Sequence, residues 1–188
     1  MKKITLFVVT LLFFGYVVLA QQSPVQFGVK GGVNLSTLKG NMNNAADHRT
    51  AFHAGALAHI HMSPHFALQP EVLYSAQGAE YANNRRDKIN YVNVPLLGQY
   101  MFTNGLRLQT GPQIGFLTKA EAENGNVETD FKNSVKKTDF SWSFGASYLT
   151  RTGLGIDARY NLGLLDISKN NSDLKNRVWQ IGLFYQFR

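Results

Sequence analysis

Cysteine is absent from this 188-residue chain, and only five prolines and two tryptophans occur in it. No disulfide framework is available, so stability must come from closing a sheet on itself or from a large core. A lipid anchor on a cysteine is excluded for the same reason. Charge is sparse at 16% of residues, and its basic excess, formally +7, is spread among loops and polar positions. Nucleic-acid binding therefore has no footprint, and Arg85-Arg86 beside Asp87 reads as a solvated loop. Beyond residue 20 there is no helical period, no low-complexity tract and no linker that would divide the chain.

The amino end is different. Met1-Lys2-Lys3 supplies positive charge, Ile4 to Leu19 is an uncharged apolar run, and Val18-Leu19-Ala20 stands where a signal peptidase cuts. The sequence predicts a cleaved signal peptide over 1–20 and a single mature domain over 21–188.

After residue 24, apolar and polar side chains alternate through eight segments: 25–35, 51–62, 66–77, 89–102, 106–117, 139–149, 154–164 and 177–187. A period of two means strands. One face stays apolar and uncharged from Phe27, Val29, Val33 and Leu35 to Trp179, Ile181, Leu183, Tyr185 and Phe187. A lone Arg or Lys on a lipid-facing position at bilayer midplane would cost about 2–4 kcal/mol. The opposite face holds Gln26, Lys30, Asn34, Glu71, Gln99, Arg107, Gln109, Gln113, Asp157, Arg159, Asn161, Gln180 and Gln186. Polar inside and apolar outside inverts a soluble barrel.

The connections alternate in length. Those at 36–50, 78–88, 118–138 and 165–176 are long, whereas Ser63-Pro64-His65, Thr103-Asn104-Gly105 and Thr150-Arg151-Thr152-Gly153 are tight turns. These patterns predict an all-β fold: an eight-stranded antiparallel up-and-down transmembrane β-barrel with short periplasmic turns and long extracellular loops, set in outer-membrane lipid. Tyr100, Phe102, Tyr148, Tyr185 and Phe187 gather at the tight-turn ends; Phe52, Tyr74, Trp142, Tyr160 and Trp179 lie near the long-loop ends. Two aromatic girdles follow, because such rings prefer the boundary between lipid and water. Pro70, Pro95 and Pro112 fall inside strands, where each removes a ladder donor, so bulges or distorted pairing are expected there.

Several short motifs carry a resemblance. Gln69-Pro70-Glu71-Val72-Leu73-Tyr74-Ser75 with Gly78, Asn90-Tyr91-Val92-Asn93-Val94-Pro95-Leu96-Leu97, Gly111-Pro112 and Arg159-Tyr160-Asn161-Leu162-Gly163-Leu164 resemble the small outer-membrane β-barrels called PorT-like, common in Bacteroidetes. The family often has an acid at position 93 and a lysine at position 99, where Asn93 and Gln99 stand here. The resemblance implies an outer-membrane location and, through some members, a link to protein secretion and gliding. The last strand, with Trp179, Ile181, Leu183, Tyr185 and Phe187, also resembles the signal read by the barrel-assembly machinery, with Arg188 following the aromatic.

An eight-stranded barrel has room inside only for side chains, so the polar face should form a packed network. Glu71 is expected to pair across the lumen with Arg159, with Asp157, Lys30 and Arg107 completing an ionic network. His53, His59 and His61 share the inward parity and form a weak candidate metal site, set against the plainer reading as lumen-lining histidines; no cofactor is expected. Ser141, Ser143 and Ser147 also face inward with no histidine on their strand, which argues against a hydrolytic triad. No helix follows the glycines at 28, 31, 32, 111 and 115, and small interior residues explain them better than a phosphate loop.

Three functional readings follow. The first is a non-enzymatic barrel that stabilises the envelope or presents its four loops to an outside partner. The second, implied by the resemblance, is an accessory component of a secretion apparatus. The third is a lipid A-modifying enzyme.

Overall fold

A computed structural model of the protein describes residues 25–39, 47–80, 85–124, 127–130, 132, 135–166 and 175–187. The expected signal peptide and its cleavage point lie outside these residues. Among the described residues nine strands form: β1 (Val25–Lys39), β2 (Asp47–His61), β3 (Phe66–Glu80), β4 (Arg85–Met101), β5 (Leu106–Asn124), β6 (Val127–Asp130), β7 (Thr138–Leu149), β8 (Leu154–Gly163) and β9 (Lys175–Gln186). Eight of them make one sheet in the order β4-β3-β2-β1-β9-β8-β7-β5, and pairing of β4 with β5 closes it into a barrel. Every neighbouring pair is antiparallel. Closure leaves no free edge, which is what a sheet in hydrocarbon requires.

The tight turns follow from their sequences. Gly105 and Gly153 adopt φ of +93° and +91°, values that L side chains rarely take, and their amides close the turns onto Phe102 O and Thr150 O at 3.2 Å each. At the opposite end the wall is uneven. β5 continues from Phe116, the partner of Thr138 at the start of β7, up to Asn124, and stays paired with β4 as far as Arg85, whereas β7 begins at Thr138. Much of the sequence expected as long loops is therefore strand, including Arg85-Arg86, and β6 is an additional short strand paired with the top of β5. The extensions escaped the apolar criterion because their outer face is charged. Arg86 pairs with Glu80 at 3.3 Å, Lys88 with Glu123 at 2.9 Å and Lys119 with Glu121 at 2.6 Å. The uncharged outer face also ends above Trp179, since Arg177 takes the same outward parity at the register of Thr37 and Leu162.

No register shift occurs at the prolines. Pairing breaks between Leu57↔Glu71 and Ile60↔Leu68, between Pro70↔Leu96 and Leu73↔Asn93, and between Pro95↔Gln113 and Gly98↔Thr110, yet the register resumes unchanged. A missing N–H weakens the ladder locally without adding a residue. Register does shift between His48 and His53 on β2 and at Asn90/Tyr91 opposite β5, where Thr118 is the extra residue. Both shifts lie on the tall side of the rim.

Mid-way along the β1–β9 seam, Gly32 is the partner of Gly182. A Cβ on Gly182 would come within 2.5 Å of Gly31 O, so the two strands meet there with no side chain between them.

Candidate functional site: the barrel lumen

Alternation puts every second side chain of each strand inside, and these side chains fill the lumen in layers. At mid-height Arg159 on β8 holds Glu71 on β3 with two parallel bonds, Nη1 to Oε2 at 2.9 Å and Nη2 to Oε1 at 2.8 Å. Lys30 on β1 bonds Asp157 Oδ1 and stands 3.9 Å from Glu71 Oε1. Asp157 Oδ2 lies 3.8 Å from Arg159 Nη2. Two cations and two anions thus cancel inside a layer whose members are each at most 5% exposed. Gln69 donates to Glu71 at 2.7 Å and Gln109 donates to Asp157, which occupies further carboxylate lone pairs. Bidentate geometry with added donors is the arrangement that offsets the desolvation of buried ions.

Arg107 is not part of this quartet. It lies toward the tight-turn end, where Nη1 donates to Gln186 Oε1 at 3.2 Å and Gln186 donates on to Gln26 at 2.7 Å. Shared parity fixes the face of a strand residue but not its height. The histidines make the same point. His53 meets Asn34 Oδ1 at 2.8 Å, while His59 faces Gln69 Oε1 at 3.3 Å and stacks edge-on against His61 with centroids 4.5 Å apart. Six residues of strand put His53 about 20 Å from His59. Among the described residues no group of three or more His, Cys, Asp or Glu is placed to hold a metal.

Above the quartet a neutral relay crosses five strands: Ser143 donates to Asn161, Asn161 to Gln180, Gln180 to Asn34, and Asn34 to Ser75, at 2.7–3.0 Å. Ser141 accepts from Gln113 at 3.0 Å. Neither Ser141 nor Ser143 bonds a histidine, so no hydrolytic pair forms at these positions. Asn93 and Gln99 are both buried, and Gln99 donates to Gln109 at 2.8 Å.

Beneath the tall rim the filling changes character. Ala79, Ile89, Tyr91, Ala120 and Val135 form an apolar cluster, with Leu117 packed against it. Ala120 reaches it only because the extra residue at Thr118 turns the β5 extension by one position. Val135 comes from the segment before β7, which is tied to β5 by Leu117 N donating to Lys137 O at 2.8 Å. Sequence reading missed both.

Outside, Phe52, Tyr74, Tyr100, Phe102, Trp142, Tyr148, Trp179, Tyr185 and Phe187 are exposed on the barrel wall and Tyr160 is half-buried. Rings pair across neighbouring positions: Phe52 with Tyr74 at 5.8 Å, Tyr100 with Phe102 at 4.9 Å, Tyr160 with Trp179 at 4.8 Å, and Tyr185 with Phe187 at 5.4 Å. Trp142 donates to Thr110 Oγ1 at 2.8 Å. A wall of exposed apolar side chains around a polar, ionic interior is the arrangement of a barrel surrounded by lipid.

Comparison with known proteins agrees. Residues 19–169 match the family model described as outer membrane protein beta-barrel domain. Ail, the attachment invasion locus protein of Yersinia pestis, is similar in structure with a TM-score of 0.58 at 17% identity, over 86% of this chain and 98% of that one. The same protein in a phospholipid bilayer nanodisc gives 0.54 at 16% identity, over 87% and 100%. Neisserial surface protein A (NspA) gives 0.60 at 10% identity, over 87% and 99%. At such identities these likenesses speak for the fold alone. No curated protein matches the sequence.

Proposed function

The chain belongs to the outer membrane protein β-barrel domain family, and from that premise we propose a non-enzymatic barrel with a closed lumen, whose task is carried by the rim outside the membrane. The observation that carries this reading is the uneven wall. Strands β3 to β5 continue beyond the level of Tyr74 and Phe116, with paired charges outward and an apolar seal inward. A rigid, side-chain-filled stem that holds such a rim suits contact with an outside partner better than passage of solutes. In this reading residues 1–20 direct export and are removed, and the strand ending in Tyr185 and Phe187 is presented to the barrel-assembly machinery.

Two measurements test it. In planar bilayers the purified barrel is expected to show no unitary conductance; steady ion currents would overturn the closed lumen. A photo-crosslinking residue at the exposed Thr129 of β6 is expected to capture a surface partner in intact cells. Capture of secretion components would move the assignment to the PorT-like accessory role, and an altered lipid A acyl pattern on deletion would move it to an enzyme.

A further inference from the structure

The outward cations on two sides of the barrel differ in their company. On β4 and β5, Arg86, Lys88 and Lys119 each stand beside a glutamate of the chain. On β9, Lys175 and Arg177 take the outward parity at the registers of Lys39 and Thr37, and among the described residues neither has an acid within ion-pair range. Lys175 is exposed, and Arg177 is half-buried, its Nε covered and without a hydrogen-bond partner.

Position adds to charge. Arg177 stands two residues beyond Trp179 on the same face, which places it about 5 Å higher along a tilted strand. Trp179 packs against Tyr160 with centroids 4.8 Å apart, and such rings mark the boundary between hydrocarbon and water. The two cations therefore lie at the level of the lipid headgroups. A partly covered guanidinium without a counter-charge is costly, and here the chain supplies none.

We propose that the outer face of β9 binds the phosphate of a net-negative lipid headgroup, held by Arg177 with Lys175 as the second cation. The guanidinium offers a planar fork that matches two phosphate oxygens, and the ammonium adds a point charge. Below them Trp179, Ile181 and Leu183 are exposed in one outward row, a track for the acyl chains. On β3 to β5 the same headgroup would meet Glu80, Glu121 and Glu123, which already neutralise the cations there. The lipid site is thus confined to one side of the wall, and it needs only the lipid-facing surface, whatever the rim contacts.

The test places the full barrel in nanodiscs of equal parts phosphatidylcholine and phosphatidylglycerol. Bromine is carried on the acyl chains of one lipid or the other, and quenching of Trp179 is followed in a Trp142→Phe background. Quenching should report phosphatidylglycerol enriched about fivefold beside Trp179, the factor equivalent to roughly 1 kcal/mol for one cation at a membrane surface. Arg177→Gln should return the mixture near Trp179 to the bulk ratio, whereas Lys88→Gln should leave the enrichment unchanged. Should Arg177→Gln fail to insert, a second reporter decides: Tyr74→Trp, in a Trp142→Phe/Trp179→Phe background, reads the side of β3 and should show the bulk ratio. No enrichment at Trp179, enrichment that survives Arg177→Gln, or equal enrichment at position 74 would overturn the site. So would loss of the enrichment on adding inorganic phosphate at constant ionic strength, because the cations would then hold a soluble anion and not a lipid.

Discussion

At mid-height the lumen is filled by four charges from β1, β3 and β8, whereas beneath the tall rim it is filled by Ala79, Ile89, Tyr91, Ala120 and Val135. The ionic level is symmetric in charge and fixed by hydrogen bonds of defined direction. The apolar level is held by contact alone and depends on a segment outside the barrel strands. The first ties opposite walls into one unit; the second seals one wall and leaves the short wall beside it polar.

The largest effect should come from breaking the ionic level. Glu71→Gln or Arg159→Met leaves an uncompensated charge in the lumen and should cost about 3–5 kcal/mol in urea unfolding from micelles. The double variant Glu71→Leu/Arg159→Met should lose much less than the two single losses together, because Lys30 and Asp157 still balance each other. Additive losses would show that the four groups do not act together. A smaller, local effect is expected at the apolar level. Val135→Asp should release the segment carrying Lys132, Lys136 and Lys137 to trypsin, with about 1.5–3 kcal/mol of burial lost there and the barrel itself intact. Global unfolding in that variant would mean that the cluster supports the whole wall.

The smallest effect belongs to the outer face of the extension. Lys88 holds the Glu123 carboxyl below its ordinary pKa through a direct hydrogen bond. A carboxylate depressed in the folded state contributes above its unfolded pKa, and that contribution is lost as pH falls through the folded value. Glu123→Gln should therefore flatten the acid side of rim-proteolysis profiles at low salt, and should leave them unchanged at high salt.

The ionic level was legible because Lys30, Glu71, Asp157 and Arg159 follow an unbroken period of two inside the hydrocarbon, where one face must be apolar. Height was not legible. Arg107 and the three histidines share the inward face with the quartet yet stand at other levels, since parity carries no information along the strand axis. The apolar level was hidden for a different reason. One inserted residue at Thr118 reverses parity for the rest of β5, and Val135 belongs to a connection with no period to read. Above the girdle the outer face meets water instead of lipid, so Lys88, Lys119, Glu121 and Glu123 looked like loop while forming strand.

The glycine-lined seam has a consequence for how the molecule comes into being. Because β1 bonds to β9, the ring is completed by the two most distant parts of the chain. Any shorter piece would expose two rows of bare amides to lipid, a condition that hydrocarbon does not tolerate. Closure of the ring therefore waits for the residues around Gly182. A chain stopped before them would keep two open sheet edges.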